Sequence, residues 1–177
     1  MANFDTEPRK ADNPMFEISV KQGDEDLGSI ILELWPDVAP KHVANFEELV
    51  ESKAYNGCAF HRVIPGFMIQ GGDPNSIDKP RNTWGFGDPS QKNVPAEFSN
   101  ENHARGILSA ARSQDPNSAS SQFFICVADA SFLNGQYTVY GQTVKGMDVA
   151  DKIVNSARDA GDNPLEKIEM TITKYNV

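Results

Sequence analysis

The stretch from Phe60 to Asp73, F-H-R-V-I-P-G-F-M-I-Q-G-G-D, most tightly constrains how this chain can fold. Two apolar runs flank the pair Pro65-Gly66. Proline presets φ for the second position of a type II turn, and glycine accepts the positive φ of the third position. Because a type II turn splays the strands of a two-residue hairpin, we expect a looser link that includes Phe67. The stretch is therefore predicted to fold as strand, turn, strand.

The register of this predicted hairpin places two polar side chains on one face. With three link residues, Ile64 faces Met68 and Arg62 faces Gln70. A guanidinium and an amide then lie side by side, next to an apolar hairpin tip. On the pattern alone, a plain core hairpin whose Arg62 reaches solvent fits equally well.

The rest of the chain is predicted to be mainly β. Alternating apolar and polar residues indicate strands near both ends, over 15–20 and 166–175. Besides the hairpin, further strands are predicted over 27–34, 106–111, 122–127 and 137–144. Helical periodicity indicates two amphipathic helices, over 40–53 and 146–154. Since the end strands can pair, we expect a closed barrel of about eight strands with a helix over each open end.

The chain is predicted to form one domain after a short arm. Its 177 residues are enough for a sizeable core, and no linker or internal repeat divides them. Residues 1–13 are mostly polar and read as a mobile arm ahead of a single domain over 14–177. Residues 73–93 are rich in proline and glycine and predict a long ordered loop, which is often functional.

Charge and cysteine content limit the classes of partner. The formal net charge is −9, which disfavours nucleic acid and anionic membranes as partners. The two cysteines, Cys58 and Cys126, could form a disulfide, but two thiols in a cytosolic chain are more often reduced. His42, His61 and His103 are scattered without metal-ligand spacing. With no apolar signal segment at the N-terminus, we expect a cytoplasmic monomer.

Three motifs resemble those of the cyclophilins, the cyclosporin-binding family of peptidyl-prolyl isomerases. The first is the hairpin stretch, and the others are S-S-Q-F-F-I at 120–125 and F-L-N-G-Q-Y-T-V-Y-G at 132–141. They occur in the family's order, and the resemblance covers nearly all of the chain after about residue 14. It implies an eight-stranded antiparallel barrel with a helix over each mouth. It also implies an enzyme that acts on proline-containing peptides and on unfolded or folding proteins.

The resemblance implies a set of site residues as well. Arg62 matches the catalytic position. The positions that match substrate-binding residues of the family are Phe67, Met68, Gln70, Ala111, Gln122, Phe124, Phe132, Leu133 and Tyr137. The apolar members of this set imply a socket for the proline ring, with Phe132 on its rim. Gln70 would hold Arg62 in place or bond the substrate backbone.

Some positions depart from the animal members of the family and look like bacterial ones. Phe132 stands where Trp is frequent, and Tyr137 replaces a His. Since Phe132 lacks the indole N–H, we expect only weak binding of cyclosporin. Arg112 stands where the family often has Asn; it would favour acidic substrates if it faces the groove, and is otherwise a solvated loop charge. The loop 73–93 lacks the glycine-rich run of animal forms.

The chemistry of an X-Pro bond explains why an arginine beside an apolar socket can suffice. Resonance gives the C–N bond a rotation barrier of about 20 kcal/mol. No bond is made or broken, so neither a nucleophile nor a cofactor is needed. In the twisted state the prolyl nitrogen regains a lone pair, and a fixed donor aimed at it stabilises that state selectively. Arg62 offers such donors in a rigid planar fork.

Two other functions compete with the enzyme. The first is a non-catalytic module that binds proline-containing peptides as a chaperone or scaffold. The second is a barrel that carries a small ligand inside, as small eight-stranded barrels can. The presence of both Arg62 and the pocket residues favours the isomerase over the binding module. Large residues at the alternating strand positions predict a filled interior, which disfavours the ligand carrier.

Overall fold

The computed structural model describes residues 3–176, which form eight strands and three α-helices. The strands are β1 Met15–Gln22, β2 Glu25–Leu34, β3 Phe60–Ile64, β4 Met68–Gly71, β5 Ile107–Ala110, β6 Phe123–Cys126, β7 Val139–Lys145 and β8 Ile168–Lys174. The α-helices are α1 Pro40–Glu51, α2 Asn75–Asp78 and α3 Met147–Val154. Single turns of 3₁₀ helix occur at Arg81–Thr83 and Ser131–Leu133.

The strands form one antiparallel sheet in the order β3-β4-β6-β5-β7-β2-β1-β8. As the alternation predicted, β1 pairs with β8, with Ile18 opposite Ile172. The sheet curls until its two terminal strands, β3 and β8, nearly meet. There the Met170 N–H donates to the Cys58 carbonyl at 2.9 Å, and the Gly57 N–H donates to the Met170 carbonyl at 3.0 Å. The predicted eight-stranded barrel is confirmed, and this short bridge forms its seam.

The interior of the barrel is filled by side chains. Phe46 of α1 lies 5.2 Å from Phe16 and 5.9 Å from Phe123, measured between ring centroids. From α3, Ala150 and Ile153 are fully buried in the same core. The two longer helices thus cap the barrel with their apolar faces, as predicted. A packed interior disfavours the barrel that carries a ligand inside.

The predicted long loop is ordered and includes α2 and a 3₁₀ turn, neither of which the sequence indicated. Its anchor is Asp73, which is fully buried at the end of β4. One carboxylate oxygen of Asp73 accepts the N–H groups of Gly85 at 2.6 Å and Gly87 at 3.1 Å. The other accepts the Asn75 N–H at 3.1 Å. A single buried carboxylate therefore holds both ends of the segment 75–87.

Residues 3–13 of the predicted arm lie against the sheet. The Asp5 and Thr6 N–H groups donate to the Val144 carbonyl of β7 at 2.8 and 3.1 Å. The Arg9 guanidinium lies 3.5 Å from the centroid of the Trp35 ring and forms two hydrogen bonds with Glu101. These contacts do not test the mobility of the arm, which stays a prediction. Between residues 3 and 176, every helix is too short or too polar to cross a membrane.

Candidate active site

The β3–β4 hairpin has the register expected from its sequence. Arg62 pairs with Gln70 and Ile64 with Met68. Gly66 adopts a φ of +74°, and the Phe67 N–H donates to the Ile64 carbonyl at 3.0 Å, which closes the three-residue link. The predicted strand-turn-strand unit is confirmed, with a guanidinium and an amide side by side on one face.

A surface cavity of about 120 Å³ opens beside this hairpin, and we name it the hairpin pocket. It is lined by Arg62, Phe67, Met68, Gln70, Ala111, Arg112, Phe124, Leu133 and Tyr137. Met68 and Phe124 are almost fully buried beneath it because they also pack into a second apolar cluster of the barrel wall. The Tyr137 ring meets Phe124 edge-on with centroids 5.8 Å apart. Neighbouring strands therefore fix the shape of this pocket.

The structure brings together all ten site residues that the sequence predicted. Eight of them line the hairpin pocket, and the other two lie next to it. Gln122 accepts a hydrogen bond from the Gln70 side chain at 3.1 Å. Phe132 is 66% exposed, and its ring centroid lies 5.5 Å from that of Phe67 on the rim. The roles assigned to these residues stay predictions.

Arg62 is the exposed cation of the hairpin pocket. The single hydrogen bond of its side chain within residues 3–176 runs to the Gln70 side-chain oxygen and is long, at 3.5 Å. Gln70 is itself held by Gln122, whose amide donates to the Gly85 carbonyl at 3.1 Å. These hydrogen bonds between side-chain amides thus orient Gln70 beside Arg62, while most N–H groups of the Arg62 guanidinium stay available to a ligand.

Comparisons with known proteins agree with this geometry. The model of the family described as cyclophilin type peptidyl-prolyl cis-trans isomerase/CLD matches residues 15–177. The chain belongs to this family. Cyclophilins of this type are peptidyl-prolyl cis-trans isomerases, and so is this chain.

Relatives and solved structures bear the same description. A probable peptidyl-prolyl cis-trans isomerase of Brucella suis is 52% identical over 152 residues, which cover 82% of this chain and 78% of that protein. A peptidyl-prolyl cis-trans isomerase of Acinetobacter baylyi is 45% identical over 135 residues, covering 73% and 69%. The crystal structure of a Cryptosporidium parvum cyclophilin superposes with a TM-score of 0.79 at 28% identity, covering 93% and 99% of the two chains. The same cyclophilin in the presence of the dipeptide Ala-Pro gives 0.77 at 30% identity, covering 92% and 99%.

Arg112, whose orientation the sequence left open, faces the hairpin pocket of this cyclophilin. Its guanidinium lies 4.4 Å from the centroid of the Tyr137 ring. It donates to the backbone carbonyls of Gln136, at 2.6 and 3.1 Å, and of Ser113, at 2.9 Å. Arg112 therefore adds positive charge to the rim while most of its N–H groups are engaged in joining two loops.

His61 lies next to the site, and sequence reasoning did not select it. It precedes Arg62 in the hairpin and is only 6% exposed. Burial lowers the pKa of His61 from its ordinary 6.5 to about 4, so the ring is neutral at pH 7. Its Nδ1 has no hydrogen-bond partner within residues 3–176. Its position inside the F-H-R motif was the available signal, but the sequence cannot show that loop 73–93 covers the ring.

Proposed function

We propose that Arg62 and the hairpin pocket carry the isomerisation of X-Pro bonds in proline-containing peptides and in unfolded or folding proteins. The observation that supports this proposal is a guanidinium with free N–H groups directly beside a small, partly apolar cavity. The cavity suits one small ring, since its volume is about 120 Å³. The related cyclophilin that was solved in the presence of Ala-Pro adds support.

In the proposed mechanism, the proline ring enters the hairpin pocket and contacts Met68, Phe124 and Leu133. Burial of an apolar ring against these side chains supplies binding energy and fixes one side of the amide. The other side of the amide then turns about the C–N bond. As the bond twists, the prolyl nitrogen gains a lone pair that accepts a hydrogen bond from Arg62. This bond exists only in the twisted state and therefore lowers the barrier.

The neighbouring amides have a proposed positioning role. Gln70 keeps the guanidinium from turning away toward solvent, since its side-chain oxygen lies 3.5 Å from the Arg62 Nη1. The link from Gln122 to the Gly85 carbonyl keeps Gln70 in turn from rotating. Holding the donor in place before the bond twists avoids the cost of orienting it during the reaction.

Arg62→Ala tests this proposal. We expect turnover to fall about a hundredfold, which is typical for the loss of one well-placed donor, while peptide affinity and stability change little. Arg62→Lys should restore only part of the activity, because an ammonium lacks the planar fork. Arg9→Ala, which removes an arginine on the arm, is the matched control and should keep full turnover. Equal losses of binding and turnover in Arg62→Ala would instead indicate a structural role.

We also propose that this cyclophilin acts in the cytoplasm as a monomer with a single domain over 14–177. Cys58 and Cys126 are both buried and free, which fits a reducing compartment. Burial raises the pKa of each thiol to about 12, so both are unreactive at neutral pH. Cell fractionation tests the location, and sedimentation of the purified chain tests the monomer.

A further inference from the structure

A second cavity lies next to the hairpin pocket and shares Arg62 with it. Its volume is about 460 Å³, and it lies between the segments 81–86 and 159–163. We name it the loop pocket. Arg62 and Gln70 line both the hairpin pocket and the loop pocket, so the two form one continuous groove. A peptide whose proline occupies the first can therefore extend directly into the second.

The wall of the loop pocket carries an aromatic side chain held out in solvent. Phe86 is 83% exposed, more than any other large apolar residue among those described. Its two neighbours, Gly85 and Gly87, are tied through their N–H groups to the buried Asp73 carboxylate. Both have positive φ, +103° and +76°, a backbone that favours glycine. The exposure of Phe86 is thus fixed by an anchored backbone rather than by a loose loop.

The charges around the loop pocket indicate what it does not bind. Arg62 and Arg81 both line it. The Arg81 guanidinium lies 5.2 Å from the centroid of the Trp84 ring, and the Lys167 ammonium lies 5.7 Å from it. A cationic side chain would meet these like charges, and the face of Trp84 already has cations beside it. Asp159 opposes them in part, but Arg81 lies 3.6 Å from its carboxylate.

We propose that the loop pocket binds an aromatic side chain of the client chain, close in sequence to the proline, with Phe86 as its main contact. The inference rests on the proposed function, because the hairpin pocket must hold the proline for the groove to position its neighbours. An extended chain advances about 3.3 Å per residue, so a side chain one to three residues from the proline reaches past Arg62. Packing of a client ring against Phe86 covers the exposed apolar surface and excludes water from it.

The test compares alanine-rich peptides that contain one proline and differ in a single neighbouring residue. Phe, Glu or Lys is placed in turn at each position near the proline. Isomerisation is measured by NMR exchange, so that no coupling protease responds to the changed residue. We expect the best Phe peptide to exceed its Ala counterpart in kcat/KM by about fivefold, a typical effect of one aromatic pair. We expect Lys to give the lowest value.

Two variants test whether Phe86 causes the preference for the Phe peptide. In Phe86→Ala, the ratio of the Phe peptide to the Ala peptide should fall to about one. Phe98→Ala is the matched control, because Phe98 is also an exposed phenylalanine, at 45%, but lines neither pocket. It should keep the full ratio. An unchanged ratio in Phe86→Ala overturns the proposal.

Phe86 also borders a third cavity. A second pair of variants therefore tests in which of the two cavities the client ring binds. Asn82 lines the loop pocket and Asn93 lines the third cavity; both are exposed. Asn82→Trp should fill the loop pocket and remove the preference for the aromatic peptide. Asn93→Trp should leave that preference intact. The reverse result would place the client ring in the third cavity and overturn the proposal.

The remaining outcomes separate this inference from the proposed function. A wild-type ratio of one at every position, with Arg62→Ala inactive, overturns the aromatic site and leaves the catalytic role of Arg62 standing. A preference for Glu instead of Phe overturns it in favour of binding by Arg62 and Arg81. A fully active Arg62→Ala, in contrast, contradicts the proposed function, whatever the peptide preference.

Discussion

The hairpin pocket and the loop pocket share Arg62 and Gln70 but are built in different ways. The first rests largely on strands, and its floor residues Met68 and Phe124 belong to the packed barrel wall. The second lies between loops that buried polar groups hold in place, and its main apolar contact, Phe86, packs into none of the apolar clusters. Substitutions in the strand-built pocket should therefore damage fold and chemistry together. Substitution of Phe86, which only the loop-built pocket of the two contains, should change only which clients are preferred.

The largest expected effect is on stability and belongs to Phe124. Phe124→Ala should lower the free energy of unfolding by about 3–5 kcal/mol, because it opens a cavity beneath the hairpin pocket. Phe86→Ala is the matched variant in the other pocket and should change it by less than about 0.5 kcal/mol. Urea denaturation of both variants measures the difference.

Met68→Ala should behave like Phe124→Ala, with a smaller loss of about 2–4 kcal/mol. Both variants should also weaken binding of proline peptides, because the floor of the pocket is lost. A stable Phe124→Ala protein with unaltered activity would contradict the assignment of Phe124 to the pocket floor. It would also contradict the expected difference between Phe124 and Phe86.

The next effect concerns His61, a residue of β3 whose ring is covered by the loop 73–93. Its pKa is lowered by burial from 6.5 to about 4, so the unfolded chain binds a proton more readily than the folded one. The contribution of the neutral, buried His61 to the free energy of unfolding is fully present above pH 6.5 and is lost as the pH falls toward 4. The loss amounts to about 3 kcal/mol, and thermal unfolding across this range measures it.

A His61→Gln variant should flatten this pH dependence only in part. Burial also lowers the pKa values of His42 and His103, so both contribute in the same direction. If His61→Gln leaves the dependence on pH unchanged, the loop does not exclude water from His61 as the structure indicates.

The smallest expected effect concerns Phe132 on the exposed rim of the hairpin pocket. We expect cyclosporin to bind weakly because Phe132 has no hydrogen-bond donor, whereas a Trp at this position would supply an indole N–H. An unpaired buried acceptor costs about 1–3 kcal/mol, so Phe132→Trp should tighten inhibition by about tenfold or more. Turnover of small peptides should change little, since the proline ring needs only an apolar wall.

Inhibition and turnover of Phe132→Trp should be measured side by side, with Phe98→Trp as the control for an added surface indole. Unchanged inhibition would shift the cause of the expected weak cyclosporin binding to Tyr137 or to the segment 112–120.

The sequence predicted the hairpin of the strand-built pocket because the information for its register is local. The Pro65-Gly66 link and the alternation around it were enough to place Arg62 opposite Gln70. Alternation in the end segments likewise predicted the pairing of β1 with β8. The fold followed from such patterns together with the family motifs, whereas the set of ten candidate residues was implied by the resemblance to the family.

The loop-built pocket was not predicted, for a physical reason. Its shape depends on hydrogen bonds from Gly85 and Gly87 to Asp73, and nothing local in the sequence marks that carboxylate as buried. Helix α2 has only four residues, too few for a periodic pattern. The exposure of Phe86 was equally hidden, because an aromatic residue in a loop is more often expected to pack inward.

The pairing of β1 with β8 also determines when this protein can finish folding. A ribosome makes the chain from its N-terminus, so β1 emerges early and β8 last. The edge of β1 that faces β8 stays unpaired until residues 168–174 have left the exit tunnel. Because this contact joins distant parts of the chain, its closure is slow. This isomerase can thus close its own barrel only after residues 168–174 have been synthesised.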